Sequence, residues 1–535
     1  MINRASLLTA AFAVMTVVMA APWSLYPGSR VLVDNPDTHL YLWTLAWDAH
    51  AFATNPVAIF DANIFHPDRN TLAWSENLIG SAFFAAPIIW LTGDLVLALN
   101  VTAMLTCVLC GLGACFLART LGLSIGAAIV AGVIFAFDPA RFFRMSQLHL
   151  TAVQWLPFGL AFLHRYLRDG RAWDVRAAIA CLVQQALCGG HGAVFLLVAM
   201  ALLVAYHVVL RMPIDPMKRI RDVGITGLLI LLPAVAVWLP YRRAQSEMGL
   251  RRTLENWTVT PESFIASPSH LDQWIVSAIA GSGVIANAGA YLFPGVLPLL
   301  LAIVAMVAVR RREVWFYALL AAVSVLMFTP PPISLWPAVY WLPAFNFIRV
   351  PSRFMILTTL ALAVLAGYGF ERLAVKWRQT FGEAWRQPFG VAFAVVTCVL
   401  LLAEFSAHPF QGTDYRHEVP AIDRWLAAQP GPIVIAELPT PSARLSGPFE
   451  RHQTRAMLHS TSHWHKTIHG YSGIRSPRLD EATMALTRFP DDASLAKLRE
   501  LGVTHVVVHG DAAAEHPVLK LLRAEADGRV YSLNR

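Results

Sequence analysis

Long apolar runs alternate with short polar breaks along the first 405 residues of the chain. Many of these runs have roughly 17–25 residues, the length that an α-helix needs to cross a bilayer. Helices are suited to this environment because they satisfy their backbone hydrogen bonds within the segment. The pattern predicts a polytopic α-helical membrane protein, with helices near residues 4–22, 95–118, 123–137, 150–166, 177–188, 192–210, 222–240, 291–309, 314–329, 353–370 and 389–405.

Two apolar stretches depart from a simple spanning pattern. The stretch 78–94, within "ENLIGSAFFAAPIIWLTGD", is expected to lie at the membrane interface or to cross incompletely. The run 177–210 is too long for one helix and is interrupted by "CGGHG", residues 188–192. Because glycine pairs interrupt helices, this segment predicts a discontinuous helix or a tight hairpin at membrane depth.

The loop lysines and arginines predict the orientation. Most of them fall in "RYLRDGRAWDVR", "RMPIDPMKRIR", "VRRRE" and "ERLAVKWRQTFGEAWR". All four loops lie on the cytoplasmic side if the N-terminus is cytoplasmic and 78–94 does not cross fully. This favours about 11 transmembrane helices, with the C-terminus outside. Residues 5–22 also fit a secretory signal, but we favour a retained first helix because so many helices follow.

The composition changes after residue 405, where charges and histidines increase and no spanning segment occurs. "GPIVIAELP", "VTHVVVHGD" and "GRVYSLNR" predict short strands, and "DDASLAKLRELG" predicts an amphipathic helix that ends at Gly502. We therefore expect a transmembrane domain over 1–405 and a small periplasmic α/β domain over 406–535. The first outside loop is expected at 23–94 and a second large one at 241–290.

Composition excludes several classes of protein. The 535 residues are 56% hydrophobic and 14% charged, whereas soluble domains average about 25% charged residues. The net charge of +8 resides mostly in short loops, so it does not indicate a nucleic-acid partner. The pair Cys107 and Cys110 has the spacing of a redox or zinc motif, but it lies in an apolar segment without a second pair. Buried apolar cysteines are the simpler interpretation.

Arginines on the predicted outer side suggest a ligand, because outside loops are normally poor in them. A guanidinium matches phosphate oxygens, although the same residues could also extend towards lipid headgroups. Arg349 and Arg353, four residues apart, are expected on one helical face as phosphate ligands. The full set of outer arginines is Arg141, Arg144, Arg242, Arg243, Arg251, Arg252, Arg349 and Arg353.

A carboxylate near such arginines suits the transfer of a sugar from a polyprenyl phosphate. An aspartate can accept the proton of the acceptor hydroxyl as that oxygen attacks the anomeric carbon. The leaving phosphate is already a stable anion and needs charge stabilisation from arginine. One carboxylate and a basic clamp therefore suffice for an inverting single displacement, without the carboxylate pair that hydrolases use.

Several motifs extend this hypothesis to a family. The stretches "DTHLYLWTLAWDAHA", "IFDANIFHPDRNTLAWSEN", "FIRVPSRF" and "HSTSHWHKTIHGYSG" resemble a bacterial branch of the GT-C superfamily of membrane glycosyltransferases. The resemblance implies a lipid-phosphate-sugar donor and a catalytic aspartate in the first outside loop. Asp37 matches that position best and Asp34 is the alternative. The pair could also belong to a solvated turn around Pro36.

The remaining candidate residues are substrate contacts. Glu76 of "WSEN", Arg144, His149, Arg251 and Arg252 are expected near the donor, as are Arg349 and Arg353. His463 and Tyr471 are expected on a loop over the active-site cleft. His149, Gln154 and His191 could line the cleft, and interhelical hydrogen bonds explain these polar residues equally well.

No cofactor is expected, although a diphosphate donor would favour a divalent cation. "HSTSHWHKTIHG" brings His459, His463, His465 and His469 close in sequence, but no nearby cysteine or carboxylate completes a zinc ligand set.

Two other functions fit parts of the pattern. A transporter of lipids or lipid-linked glycans would use the arginines to carry a headgroup, but it should have charged groups along a path through the membrane. The middle helices have almost none, which favours a site on one side. A non-catalytic envelope assembly scaffold would tolerate the loss of Asp37. The expected partners of a transferase are the lipid-linked sugar donor, a glycan, lipid or protein acceptor, and membrane lipids.

Overall fold

The structure is a computed structural model that describes residues 4–210, 216–247, 259–281, 283–342, 345–381, 386–510 and 514–533. Most of these residues are helical. The helices of the first half are α1 (Arg4–Met19), α2 (Pro36–Thr54), α3 (Ile79–Thr92), α4 (Leu95–Thr120), α5 (Ile125–Phe137), α6 (Pro139–Phe142), α7 (Leu148–Thr151), α8 (Trp155–Asp169), α9 (Ala172–Cys188), α10 (Gly190–Val209), α11 (Pro216–Thr226) and α12 (Leu232–Glu247).

A π-helical segment, Gly227–Leu231, joins α11 to α12. The helices of the second half are α13 (His270–Ala280), α14 (Gly283–Asn287), α15 (Val296–Ala308), α16 (Arg312–Phe328), α17 (Trp336–Val339), α18 (Met355–Phe381), α19 (Arg386–Phe405), α20 (Ala421–Ala427), α21 (Ser446–Ser460), α22 (Pro477–Leu486) and α23 (Asp492–Glu500).

The strands form two sheets among the described residues. β1 (Arg30–Val31) pairs antiparallel with β2 (Thr413–Asp414). The larger sheet has the order β4-β3-β5-β7-β6, in which β3 is parallel to β4 and β5 and the other pairs are antiparallel. Its strands are β3 (Val434–Leu438), β4 (Lys466–Thr467), β5 (His505–His509), β6 (Leu519–Glu525) and β7 (Gly528–Leu533).

Each of the predicted apolar helices has a helical counterpart, but the number of spans stays a prediction. Within the described parts of the chain, three helices are long and apolar enough to cross a membrane: Leu95–Thr120, Gly190–Val209 and Pro351–Trp377. The pair Met217–Ile230 and Ala234–Glu247, bent by 64°, is a fourth candidate among the described residues. Several other apolar helices are shorter. The 14 residues of α3, for example, rise only about 21 Å, less than the ~30 Å hydrocarbon core.

The break in the long apolar run occurs where the glycines predict it. α9 ends at Cys188, Gly189 is extended, and α10 begins at Gly190. Another glycine lets two helices approach closely, because a Cβ atom at Gly369 of α18 would lie 1.9 Å from the carbonyl oxygen of Leu301 in α15.

The chain divides into two compact units. Unit 1 comprises Met1–Leu25, Thr102–Ala236 and Leu250–Gln411, and unit 2 comprises Tyr26–Val101, Val237–Gly249 and Gly412–Arg535. Unit 1 contains most of the apolar helices, and within it α18 packs against α5, α15 and α16. Unit 2 combines most of the predicted first outside loop with the C-terminal α/β region.

The C-terminal elements follow local sequence signals. β3, β5, β7 and α23 form where the sequence predicts them, and Asp491 caps α23 by accepting from the Ser494 amide at 2.8 Å. Gly502 follows the helix with a positive φ of 71°, which suits glycine. Alternate side chains of the buried strands then fill two apolar clusters on opposite faces of the sheet.

First-loop residues extend the edge of this sheet within unit 2. The Thr467 amide donates to the Asn63 carbonyl at 2.8 Å, and the amide of His66 donates back to the Thr467 carbonyl at 2.9 Å. The Phe65 amide donates to the His469 carbonyl at 2.9 Å. These bonds connect residues about 400 positions apart in the sequence, which explains why the loop and the C-terminal region form one compact unit.

Candidate active site

Asp37 lies in the first turn of α2, at a helix start that the sequence encodes locally. Asn35 caps the helix because its side-chain oxygen accepts from the Thr38 amide at 2.9 Å, and Pro36 occupies the first turn. The Tyr471 hydroxyl donates to Asp37 Oδ1 at 2.9 Å. Asp37 is half-buried, and no described residue donates a hydrogen bond to its other carboxylate oxygen.

Asp34, the alternative base, has a different environment. Its Oδ1 lies 2.8 Å from His39 Nε2, and the opposite ring nitrogen of His39 lies 3.1 Å from Thr454 Oγ1. Burial lowers the pKa of His39, and Asp34 only partly opposes this effect. A neutral His39 can donate to Asp34, so Asp34 is occupied by an internal partner. The two aspartates therefore have separate contacts, and among the described residues they do not belong to a metal-ligand group.

Glu76 belongs to a polar group of unit 2 that surrounds Tyr241. It interacts electrostatically with Tyr241, whose hydroxyl accepts from the Asn77 side-chain amide at 2.8 Å. Asp48, in the middle of α2, also interacts with Tyr241 and is fully buried. Burial raises the pKa of Asp48 well above its usual range. The sequence analysis did not select Asp48, because helix periodicity does not reveal such burial.

Unit 1 contains a cavity lined by arginines. It lies beside the segment that follows α5 and the 3₁₀ turn Pro351–Phe354 that precedes α18. Arg144 and Arg353, both predicted from the sequence, line it together with Arg141 and Asp138. The other lining residues are Ala140, Leu150, Thr151, Ala290, Tyr291, Leu292, Ser352, Met355 and Ile356. Three arginines and one aspartate leave an excess of positive charge, which suits an anion.

The arginines differ in how they are held. Arg141 is buried, and its guanidinium donates to the Phe135 carbonyl at 2.8 Å and to that of Ala136. Arg353 Nη1 lies 2.7 Å from His191 Nε2, so His191 accepts this bond as a neutral imidazole. The centroid of the His191 ring lies 6.4 Å from that of the His149 ring. His149, a predicted substrate contact, is therefore next to the histidine that binds Arg353. Arg144 is exposed.

The prediction that Arg349 and Arg353 share one helical face is wrong. Arg349 lies in a non-helical bend and is exposed, and it does not line the cavity. The helical turn begins only at Pro351, because a proline with its fixed φ starts a helix but disfavours helical backbone at the preceding residue. Arg251 and Arg252 lie outside the described residues.

His463 and Tyr471 also have different environments. Tyr471 contacts Asp37, whereas His463 is buried in unit 2 and its Nδ1 accepts from the His465 amide at 3.0 Å. Burial lowers the pKa of His463 to about 4, so the ring is neutral. Among the histidines of that segment, His459 instead meets Glu437 and His509, a group that the sequence analysis missed.

No protein-family model matches the sequence, and no curated protein does. Solved structures do match. Arabinofuranosyltransferase AftD from Mycobacteria is 18% identical with a TM-score of 0.57, over 100% of this chain and 42% of that one. The oligosaccharyltransferase of Archaeoglobus fulgidus in complex with Zn and sulfate is 12% identical with a TM-score of 0.51, over 94% and 68%. ArnT from Cupriavidus metallidurans in the apo state is 15% identical with a TM-score of 0.49, over 99% and 97%.

The matches with AftD and the oligosaccharyltransferase define the class of fold. This chain has the fold of the GT-C membrane glycosyltransferases, and the resemblance predicted from the sequence is confirmed at that level. Its apolar helices indicate a membrane protein. The chain spans 42% of the length of the AftD chain, so the activity of that whole enzyme does not transfer with the fold.

Proposed function

We propose that this protein is a glycosyltransferase of the bacterial inner membrane. It transfers a sugar from a polyprenyl phosphate to an envelope acceptor outside the cytoplasm. The fold supports the reaction class, because AftD and the oligosaccharyltransferase are named as glycosyl-transferring enzymes. The observation that carries the proposal is Asp37, a half-buried carboxylate with one oxygen bound by Tyr471 and the other open.

In this mechanism Asp37 is the general base. The acceptor oxygen attacks the anomeric carbon while its proton moves to the open oxygen of Asp37. The bond between the anomeric carbon and the phosphate oxygen breaks, and its electron pair leaves with the polyprenyl phosphate. The configuration at the anomeric carbon is inverted because there is one displacement. The Tyr471 hydrogen bond holds the carboxylate in place during the transfer.

The arginine-lined cavity of unit 1 is proposed to bind the donor phosphate. Transfer converts a phosphodiester with one negative charge into a monoester with up to two, so positive charge stabilises the product side of the reaction. Arg144 and Arg353 are the proposed phosphate ligands. Arg141 has its guanidinium bound to backbone carbonyls, and its role is to keep the cavity positive. The His191 contact orients the Arg353 guanidinium.

Location and topology complete the proposal. The N-terminus is cytoplasmic, and the first loop and the C-terminal α/β region, which belong to one compact unit, are periplasmic. The loop charges support this orientation. The proposed transfer step uses no cofactor, and a diphosphate donor would favour a divalent cation.

The test compares purified wild-type protein in lipid with Asp37→Asn, using a panel of polyprenyl-phosphate sugars and extracted envelope acceptors. Donor loss and product formation are followed by mass spectrometry. We expect Asp37→Asn to lose about 10²–10⁴-fold in rate while it still binds donor. Asp414→Asn is the matched control, since Asp414 lies in the same unit with an 82% exposed side chain.

Two results would count against the proposal. If Asp37→Asn consumes donor as fast as wild type and Asp34→Asn does not, the base is Asp34. If the wild type binds donors but forms no product with any acceptor, the transporter and scaffold hypotheses replace the transferase.

A further inference from the structure

Two side chains of unit 2 meet at the carboxyl ends of neighbouring parallel strands. Glu437 of β3 pairs in register with Val507 of β5, and His509 follows two residues later. Because alternate residues of a strand point to the same face, Glu437 and His509 share one face of the sheet. Their side chains meet there, with Glu437 Oε2 2.7 Å from His509 Nε2.

Two helices contribute to the same point. His459, near the end of α21, places its Nδ1 2.7 Å from the same Glu437 oxygen. The three atoms, one from each side chain, all lie within 4.8 Å of one another, the only such group found among the described residues. Asp423 of α20 adds a second carboxylate, whose Oδ2 lies 3.9 Å from His459 Nδ1. That oxygen is buried and has no hydrogen-bond partner among the described residues.

The buried surroundings make two ionised carboxylates at this point energetically unfavourable. Glu437 is 3% exposed and Asp423 is 1% exposed, and both lie beside an apolar cluster. That cluster consists of Ile422, Leu426, Ile433, Ile435, Val507 and Val530. A buried carboxylate without compensation is strongly unfavourable, so two of them at one point require positive charge nearby.

Both imidazoles lie against the Glu437 carboxylate. Burial favours the neutral acid, but the two imidazoles outweigh it and hold the pKa of Glu437 well below its usual range. Burial and the Glu437 charge raise the pKa of Asp423 to about 7. The geometry adds that the Asp423 oxygen without a hydrogen-bond partner lies next to His459, one of the three grouped residues.

We propose that Glu437, His459 and His509, with Asp423 as the fourth ligand, bind a zinc ion. Two imidazole nitrogens and two carboxylate oxygens are a donor set that zinc accepts in tetrahedral geometry, whereas calcium and magnesium prefer oxygen alone. The proposal does not depend on the glycosyltransferase activity. His509 is partly exposed, which gives the ion a route to the site.

Zinc would replace the protons that now lie between these ligands. Zinc–nitrogen and zinc–oxygen bonds of about 2.1 Å place neighbouring ligands of a tetrahedron about 3.4 Å apart, farther than the hydrogen bonds at 2.7 Å. Binding therefore separates the ligand atoms slightly and releases protons. Four protein ligands leave no open position, so the ion connects β3 and β5 to α20 and α21 as a structural site.

The experiment uses the tag-free full chain, purified in detergent, stripped with a chelator and dialysed. Equilibrium dialysis against micromolar Zn²⁺ is followed by elemental analysis. We expect one zinc ion per chain, with affinity that rises with pH. Co²⁺ should give the intense visible bands of a tetrahedral site without thiolate charge-transfer bands, because all ligands are nitrogen and oxygen.

Substitutions of the proposed ligands test whether the zinc ion binds at this cluster. Glu437→Gln and His509→Gln should each weaken zinc binding by more than about 100-fold, beyond the loss typical of residues that only support a ligand. His505→Gln is the matched control, since His505 lies on the same strand and face but contacts Thr504 instead. It should bind zinc like the wild type.

The wild type alone can overturn the proposal, whatever the folding of the variants. If stripped wild-type protein takes up no stoichiometric zinc, or if its Co²⁺ complex has an octahedral spectrum, the cluster is a hydrogen-bonded network of the core. Equal zinc binding by folded Glu437→Gln and wild type would also refute it.

Discussion

Unit 1 and unit 2 each gather charged side chains at one point, but the charges have opposite signs. The unit 1 cavity has three arginines against Asp138, and these cations are permanent. The unit 2 cluster has Glu437 and Asp423 with two histidines, whose charge depends on protonation. The first arrangement suits an anion such as a phosphate, and the second suits a metal cation. The comparison supports two different proposed roles, a phosphate site in unit 1 and a structural zinc site in unit 2.

Beyond the base Asp37, the largest effect is expected at the unit 1 cavity. Arg353→Ala should lower the transfer rate by about 10²–10³-fold, the usual cost of removing one donor that stabilises developing charge. Arg349→Ala is the matched control four residues away, because Arg349 is exposed and does not line the cavity. Steady-state kinetics with the polyprenyl-phosphate donor measure both. Equal losses in the two variants would contradict the assignment of the phosphate to this cavity.

A smaller effect is expected at the unit 2 cluster. Asp423→Asn removes the charge of the fourth ligand and should weaken zinc binding by about 10–100-fold. The rate of sugar transfer should be unchanged, since the zinc site is proposed to be structural. Zinc dialysis and the kinetic assay on the same preparation test both statements. A large loss of transfer activity with intact zinc binding would show that Asp423 acts in transfer and does not bind zinc.

Packing in unit 1 gives the next test. Gly369→Ala would place a Cβ atom against the Leu301 carbonyl, so α15 and α18 must separate. We expect a loss of about 1–3 kcal/mol of stability, as in other overpacked cores. Gly224→Ala in α11 is the control, because a Cβ there meets no atom within 4 Å. Thermal unfolding in lipid nanodiscs compares them, and similar melting temperatures would refute the close approach.

The smallest effect is expected at the Tyr471 contact. Tyr471→Phe removes the hydrogen bond to Asp37, and kcat should fall about three- to tenfold because water can replace the hydroxyl at this half-buried carboxylate. KM for the donor should not change. Tyr415→Phe in the same unit is the control. A change in KM alone would assign Tyr471 to substrate binding instead of positioning the base.

The sequence predicted well what depends on neighbouring residues. The apolar runs located the helices, the glycines located the break at Gly189, and buried strands and a capped helix were recognised after residue 430. It missed β4 and β6, which are a two-residue strand and an exposed edge strand without clear periodicity. It also placed Arg349 with Arg353, because spacing alone does not reveal that Pro351 starts the helical turn.

The sequence by itself determined a helical membrane protein, its GT-C resemblance, and Asp37 and Arg353 as candidates for catalysis and phosphate binding. Only the tertiary structure brought Tyr471 to Asp37, 434 positions away, and Glu437 to His459 and His509, at separations of 22 and 72 residues. The reason is physical: hydropathy and helix signals act between neighbouring residues, whereas a site depends on which distant side chains the packing of helices and strands brings within bonding distance.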